Sequence, residues 1–174
     1  MKKIIFVFTV LTLITLGCRA TVSKNTKKIE LQFEAKSQSN SKGSATFEET
    51  NGEVKLVAKL SGLKPGVHAI HIHEKADCSA ADGSSAGGHW NPTFKKHGKW
   101  GQTECHKGDI GNFVADEAGN GSIEFSTNEW CIGCEDETKN ILNKGLIVHA
   151  NPDDFVTQPT GNAGGRIACS GIIK

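Results

Sequence analysis

Short stretches of alternating apolar and polar residues recur along most of the chain. Residues 29–33 alternate strictly, and residues 54–60 nearly so before a run of turn-forming residues. Because side chains of a β-strand point alternately to opposite faces, this spacing predicts strands with one buried face. Later segments predict a hairpin and two further strands, over residues 113–125, 145–150 and 166–173. The sequence has no long stretch of helical periodicity and no internal repeat, so we expect an all-β fold.

The N-terminus has the pattern of an export signal. Lys2 and Lys3 precede an apolar run over residues 4–17, which is too short for an ordinary transmembrane span. Cys18 ends the run, and the small Gly17 before it is typical of a bacterial lipoprotein signal, in which the cysteine is acylated. The two residues before Gly17 depart from the usual order, so plain cleavage remains the alternative to a lipid anchor.

These features divide the chain into three parts. We expect a signal peptide of the lipoprotein type at residues 1–17, a polar tether at residues 18–28 and one folded domain at residues 29–174. The domain is long enough to enclose a sizeable core. An exported protein of the bacterial cell envelope is expected, either in the periplasm or as a membrane-anchored lipoprotein.

Charge excludes one class of partner. The full chain has 20 basic and 19 acidic residues and a net charge of +1. Removal of Lys2 and Lys3 with the leader leaves 18 basic residues against 19 acidic ones, a net charge of about −1. A protein without a basic excess or a basic arm is not expected to bind nucleic acid.

Six of the seven histidines form an ordered set that a chance distribution does not explain. His71 and His73 are two residues apart, so in a strand their imidazoles lie on the same face, as half of a copper site requires. His68 lies three residues before His71, so in the same strand its side chain points to the opposite face. We therefore expect His68 to be structural and hydrogen-bonded beneath the site. Four more candidate ligands are spaced too irregularly for one strand, and they fit a zinc site built by a loop: His89, His97, His106 and Asp109.

The stretches around these residues together resemble the copper–zinc superoxide dismutases, over roughly residues 29–174. The resemblance implies a Greek-key β-sandwich or flattened barrel, in which two long loops form a dinuclear copper–zinc site. Each stretch alone would be a weak signal, but their order makes the set specific. The matching stretches are residues 66–74, 86–92, 97–98, 106–112, 147–150, 153–154 and 161–169.

The resemblance assigns both cofactors, copper and zinc, to individual residues. Copper would be bound by four histidines, namely His71, His73, His89 and His149. Zinc would be bound by three histidines and a carboxylate, namely His89, His97, His106 and Asp109. His89 would bridge the two ions, and Asp153 would link a copper ligand to a zinc ligand from outside the coordination spheres.

The same resemblance implies further roles. Arg166 would face copper and attract the anionic substrate, and Thr160 would narrow the channel. Cys78 and Cys169 would form the family's disulfide. With the loop histidines, that disulfide would tie down residues 75–108, a stretch otherwise too long to lack structure in a compact domain. Residues 156–160 lack the lysine and glutamate that steer the substrate in eukaryotic members, and the insertion before His89 resembles bacterial members.

Three cysteines have no counterpart in the family pattern. Cys131 and Cys134 form a Cys-x-x-Cys, which we interpret as a local structural disulfide. A metal clip would need a second such pair, and a thioredoxin-type redox motif would need a βαβ context. Cys105 is then expected to be a buried thiol beside His106, with a bridge to Cys131 or Cys134 as the alternative. This cysteine use indicates an oxidising compartment.

The function implied by the resemblance is dismutation of superoxide to O₂ and H₂O₂. His89 and Arg166 are the expected catalytic residues, one holding a proton and the other guiding the anion. A copper store or copper-delivery module is the main alternative, and an adhesion sandwich with vestigial ligands is another. A store needs no anion guide, and a vestigial site would have lost ligands. Pairing into a homodimer is left open by the sequence.

Overall fold

The computed structural model describes residues 26–174, so the expected signal peptide and the expected acylation site at Cys18 lie outside the described residues. Regular structure in this part consists of eight strands and one 3₁₀ turn at Ser84–Ala86. The predicted all-β fold is confirmed. The strands are β1 (Thr26–Ala35), β2 (Lys42–Thr50), β3 (Glu53–Ser61), β4 (Gly66–His73), β5 (Gly111–Ala115), β6 (Gly121–Thr127), β7 (Lys144–His149) and β8 (Arg166–Ile172).

The eight antiparallel strands close into a barrel in the order β1-β2-β3-β6-β5-β4-β7-β8. Strands β4, β5 and β6 are neighbours, and β3 returns to lie beside β6, which is the Greek-key arrangement expected from the sequence. The seam between β5 and β6 is the shortest, with the single register pair Ala115 and Gly121. The pairing of β1 with β8 is also short and involves only residues 34–35 of β1.

Strand β1 begins at Thr26, inside the segment expected to be a polar tether. Residues 26–28 pair with residues 48–50 of β2. The Nζ of Lys27 lies 3.3 Å from the carboxylate of Glu49 and donates a hydrogen bond of 2.8 Å to the carbonyl of Ile132. Through these contacts residues 26–28, which were assigned to the tether, form part of β1.

The barrel interior is filled by the apolar residues of the alternating strands. Large side chains are fully buried there, including Phe47, Leu56, Ile70, Ile72, Leu146 and Trp130. Burial of each such side chain contributes roughly 1.5–3 kcal/mol. Trp130 closes one side of the core through aromatic contacts, with ring centroids 5.6 Å from Trp100 and 5.0 Å from Phe125.

Strands β4 and β7 are buried on both faces, unlike the half-exposed β1, β2 and β3. The inner face of β4 carries Ile70 and Ile72, and its outer face carries His71 and His73, all fully buried. A long loop over residues 74–110 covers that outer face. The candidate site therefore lies between the barrel wall and a loop.

No helix within residues 26–174 is long and apolar enough to cross a membrane.

Candidate metal centre

Backbone hydrogen bonds fix the long loop against β4. The amide of Trp90 donates to the carbonyl of Ile72, the amide of Ile72 donates to Gly108, and the amide of Gly108 donates to Trp90, at 2.8, 2.9 and 3.0 Å. A Cβ atom on Gly108 would lie 2.1 Å from the carbonyl oxygen of Ile72, so only glycine allows this approach. The result is a β-bridge between His73 and His89, which brings the loop histidine beside the strand pair.

The structure brings all seven predicted ligands together in two groups that share His89. Within each group one ligand atom per residue lies within 4.8 Å of the others, and every member is buried. One group is His71, His73, His89 and His149, and the other is His89, His97, His106 and Asp109. The groups are those assigned to copper and zinc from the sequence.

Two histidines of the first group have their ring nitrogens fixed by backbone carbonyls. Nδ1 of His73 donates to the carbonyl of Gly87 at 2.9 Å, and Nδ1 of His149 donates to Gly164 at 3.4 Å. These hydrogen bonds hold each ring with its Nε2 turned inward, and the two Nε2 atoms lie 3.3 Å apart. Ligand imidazoles in metal sites are commonly oriented by such contacts through their other nitrogen.

Asp153 connects the two groups. Its Oδ2 accepts a hydrogen bond from Nε2 of His71, and its Oδ1 accepts one from Nε2 of His97, each at 2.9 Å. The carboxylate is fully buried and is itself held by the backbone amide of Phe155 at 2.7 Å. Both histidines therefore direct their Nδ1 atoms away from Asp153 and into the site.

Asp109 organises the second group. Its Oδ2 accepts hydrogen bonds from the backbone amides of His106 and Gly98, at 2.8 and 3.1 Å, and its Oδ1 lies 2.8 Å from Nδ1 of His89. The Nδ1 atoms of His97 and His106 also lie close to this carboxylate, at 3.0 and 3.2 Å. Neither is aligned for a hydrogen bond with it. The Nδ1 atoms of His97 and His106 therefore lie beside the Asp109 carboxylate and point toward a common centre, where a metal ion would bind.

Four buried imidazole nitrogens have no hydrogen-bond partner in the part of the chain that the structure describes. They are Nδ1 of His71, Nε2 of His89, Nδ1 of His97 and Nδ1 of His106. An unpaired polar atom in a protein interior costs roughly 1–3 kcal/mol, so four in one place need a common explanation. Metal ions provide it, because four imidazoles suit copper and three imidazoles with a carboxylate suit tetrahedral zinc.

The surroundings of the first group disfavour protonation of its imidazoles. Burial lowers the pKa of His73 and His149 well below the ordinary value, and neighbouring histidines lower it further. Burial also lowers the pKa of His89 to about 4, although the hydrogen bond with Asp109 opposes the shift. Neutral imidazoles with free lone pairs are the form that binds a metal cation.

The second group shows the opposite behaviour. Burial opposes the shift, but the adjacent carboxylates of Asp109 and Asp153 raise the pKa of His97 to about 9. For Asp109 burial likewise raises the pKa, and the close imidazoles of His106, His89 and His97 outweigh it and hold that pKa far below the usual range. The carboxylate is therefore ionised, and without a metal ion a proton is retained beside it.

Arg166 lies next to the first group. It pairs with His149 across β7 and β8, at the only irregularity in that ladder. Its guanidinium donates to the carbonyls of Gly83 and Gly87, both at 2.6 Å, and the Gly87 carbonyl also accepts from His73. Burial lowers the pKa of Arg166, while the nearby carboxylates of Asp82 and Glu74 raise it. The half-buried guanidinium of Arg166 and the imidazole of His73, a candidate copper ligand, thus donate to the same carbonyl of Gly87.

His68 lies on the inner face of β4, opposite the His71 and His73 pair, as its parity predicts. Its two ring nitrogens lie 2.8 Å from the carbonyl oxygens of His149 and Lys64. The ring thus supports the backbone of a candidate copper ligand from beneath. Thr160, expected to narrow the channel, is half-buried in the loop before Gly161.

Both predicted disulfides are present. Cys78 is bonded to Cys169 across a sequence separation of 91 residues, and Cys131 is bonded to Cys134. Cys105 is unpaired among the described cysteines, so the alternative bridge to Cys131 or Cys134 is excluded there. The expectation that its thiol is buried is wrong, because its side chain is half-exposed, where residues 102–105 turn outward.

Sequence reasoning missed two contributors to the site. Gln158 accepts a hydrogen bond from the amide of His97 and donates one to its carbonyl, each at 2.9 Å, so it fixes a candidate zinc ligand from a distant loop. The Nζ of Lys36 donates a hydrogen bond to the carbonyl of Cys78, in the loop whose carbonyls bind Arg166. Neither residue had a signal in the sequence, since a lone glutamine or lysine in a polar stretch is usually solvated.

An eight-stranded Greek-key barrel that carries two adjoining sets of metal ligands defines a class of dinuclear metalloprotein. Residues 41–173 match the family model described as copper/zinc superoxide dismutase. The chain is 38% and 37% identical to superoxide dismutases [Cu-Zn] 2 and 1 of Aquifex aeolicus (strain VF5), over 76% of this chain and 78% and 79% of the relatives. The chain belongs to the copper/zinc superoxide dismutase family.

A solved structure has a similar fold. The crystal structure of the clock protein EA4 is similar to this chain with a TM-score of 0.73 and 31% sequence identity, over 84% of this chain and 94% of that one. Family membership implies copper and zinc as cofactors, and the unpaired buried nitrogens fit both ions.

Proposed function

We propose that this protein is a superoxide dismutase that converts superoxide to O₂ and H₂O₂. Copper is held by His71, His73, His89 and His149, and zinc by His89, His97, His106 and Asp109. The observation that carries the proposal is the set of buried, unpaired imidazole nitrogens, which falls into two groups sharing one histidine. Family membership supports the same chemistry.

Copper supplies the one-electron redox chemistry when bound, and zinc contributes charge and holds the loop. The protein's own residues position the reactants and move a proton. His89 faces Asp109 through Nδ1 and leaves Nε2 free on the copper side. That Nε2 can hold and release a proton while Nδ1 stays fixed, so His89 is the candidate proton donor to the reduced product.

Arg166 is the candidate anion guide. Its guanidinium stays charged at any working pH and presents several donors in a fixed plane. Two of its nitrogens are occupied by the carbonyls of Gly83 and Gly87. The remaining N–H groups are available to a small anion beside His149. With a net charge of about −1 expected for the chain without its leader, this local cation is needed to attract superoxide.

A copper store or delivery module is the second candidate. It would need the four-histidine group but not Arg166, zinc or the linking Asp153. The position of Arg166 beside His149 favours catalysis, because a positive charge next to a bound cation does not help storage.

The experiment that tests the proposal combines elemental analysis with a superoxide assay on purified protein loaded with both metals. We expect one copper and one zinc per chain and rapid superoxide consumption. His97→Ala should lose mainly zinc, and His73→Ala should lose mainly copper and all activity. Protein that binds both ions without consuming superoxide would support the storage function. Loss of copper with retention of zinc in His97→Ala would refute the ligand assignment.

We also propose that the protein is exported and held at the bacterial cell envelope by acylation of Cys18. The support is the basic start, the apolar run of residues 4–17 and the small residue before Cys18. Acylated protein should partition with membranes, and Cys18→Ala should be released or left unprocessed. A mature N-terminus at another residue, without lipid mass in mass spectrometry, would refute the anchor.

A further inference from the structure

A buried lysine lies beside the candidate anion guide. Lys36 follows the last residue of β1 and is only 8% exposed, which is unusual for a lysine. Its Nζ donates to the carbonyl of Cys78 and, at 3.1 Å, to the carboxylate of Glu34. The Glu34 side chain is 68% exposed, so its attraction for the ammonium is screened by water. The contact inside the protein is therefore the Cys78 carbonyl.

The segment that begins with Lys36 also braces the start of β8. The amide of Lys36 and the hydroxyl of Ser39 both donate to the carbonyl of Ile167, at 3.0 and 2.5 Å. The hydroxyl of Ser37 donates to the carbonyl of Arg166 itself, at 2.8 Å. The backbone of the candidate guide is thus held from the side opposite the metal centre.

The guanidinium of Arg166 and the ammonium of Lys36 hold the same loop by its carbonyls. Arg166 binds the carbonyls of Gly83 and Gly87, and Lys36 binds that of Cys78. Gly83 lies between the two side chains, since a Cβ atom there would be 3.3 Å from Cβ of Arg166 and 3.6 Å from Cγ of Lys36. Residues 78–87 are therefore held by two cations as well as by the Cys78–Cys169 disulfide.

We propose that Lys36 is a positioning residue for superoxide capture. By holding the Cys78 carbonyl, it fixes the loop whose Gly83 and Gly87 carbonyls orient the Arg166 guanidinium. This inference rests on the proposed function for its kinetic effect. An apolar side chain of similar length could fill the same space but could not donate to Cys78, so the carbonyl would be left unpaired and the loop free to shift.

The test compares Lys36→Met, Lys36→Arg and Glu34→Gln in the metal-loaded protein. Superoxide consumption is measured by rapid mixing at low salt and at about 1 M salt, where charges more than a few ångströms apart are screened. Lys36→Met should keep both metals but capture superoxide roughly tenfold more slowly at low salt, as expected for a misplaced guide. The deficit should be smaller at about 1 M salt, because the guide acts through its charge. Lys36→Arg should restore most of the rate, because it can still donate to Cys78. Glu34→Gln should resemble the wild type.

A second measurement does not depend on catalysis. The rate at which dithiothreitol reduces Cys78–Cys169 should rise in Lys36→Met and return toward the wild-type rate in Lys36→Arg. A wild-type capture rate in copper-loaded Lys36→Met would overturn the inference. So would a capture deficit with an unchanged reduction rate, which would mean that Lys36 acts by its charge and not by fixing the loop. If the wild type itself does not consume superoxide, the proposed function fails, and the reduction rates still test whether Lys36 fixes the loop.

Discussion

Gly161 lies so close to Asp153 that a Cβ atom on residue 161 would stand 1.8 Å from Oδ1 of that carboxylate. The same atom would be 2.6 Å from Nε2 of His97, and the φ angle of +67° is one that side chains rarely adopt. The absence of a side chain at Gly161 therefore leaves the space in which Asp153 joins the two metal-ligand groups.

Gly161→Ala should displace Asp153 and free the rings of His71 and His97. Loss of such an outer hydrogen bond typically weakens metal affinity by about 10–100-fold, and we expect the zinc affinity to fall in this range. Gly165→Ala is the matched control, since no atom lies within 4 Å of a Cβ at that position. Competition with a zinc chelator measures both variants. Equal zinc affinity in Gly161→Ala and wild type would show that the close contact is not required.

Cys169→Ser should lower the free energy of unfolding, because the denatured chain gains conformational entropy when the disulfide is absent. The Cys78–Cys169 bond closes a loop with a sequence separation of 91 residues, for which chain entropy predicts a loss of roughly 4–5 kcal/mol in the free energy of unfolding. Cys134→Ser is the control, because its bond spans only three residues and should contribute much less. Denaturant unfolding of the two variants measures the difference. A larger loss in Cys134→Ser would contradict the entropic argument.

Arg166→Ala should slow superoxide capture without removing copper, and Arg166→Glu should slow it further. The difference between these variants should shrink as salt increases, because screening weakens the field at the channel mouth. Rapid-mixing rates at several ionic strengths, with copper content measured in parallel, provide the check. Equal rates for wild type and both variants would mean that Arg166 is not the guide.

Zinc uptake by metal-free protein should release a proton at about pH 7.5. The adjacent carboxylates of Asp109 and Asp153 raise the pKa of His97 to about 9 in spite of burial. The raised pKa stabilises the metal-free fold fully below about pH 6.5, and this stabilisation is lost as the pH rises through about 9. Zinc must displace that proton, so zinc affinity should increase with pH up to about 9. Calorimetry in two buffers of different ionisation enthalpy should give different heats, and identical heats would contradict the prediction.

Sequence patterns predicted β1 and β3 because their large buried residues alternate with exposed ones. They predicted β7 and β8 from short, largely apolar segments, since these strands are buried along most of their length. They did not reveal β2, in which only Ala45 and Phe47 are buried among polar residues. The strand forms because β1 and β3 pair with it on both sides, which is tertiary information.

The candidate ligands could be predicted because histidine and aspartate carry their chemistry in their identity and spacing. Gln158 and Lys36 could not, because their roles depend on which carbonyl or amide the fold places opposite them. The exposure of Cys105 was also beyond the sequence, since it depends on the outward turn of residues 102–105.

Closure of the barrel determines which strands of a partly unfolded chain would become available to pair with another copy of the protein. In the closed state each of the described strands is hydrogen-bonded to a neighbour on both sides over at least part of its length, which limits the unpaired edge available as a template for aggregation. The β5–β6 seam, joined by Ala115 and Gly121 alone, is where the fewest ladder bonds must break to create two such edges. We expect self-association of metal-free protein to begin there, and intermolecular contacts of β5 and β6 should appear before those of any other strand.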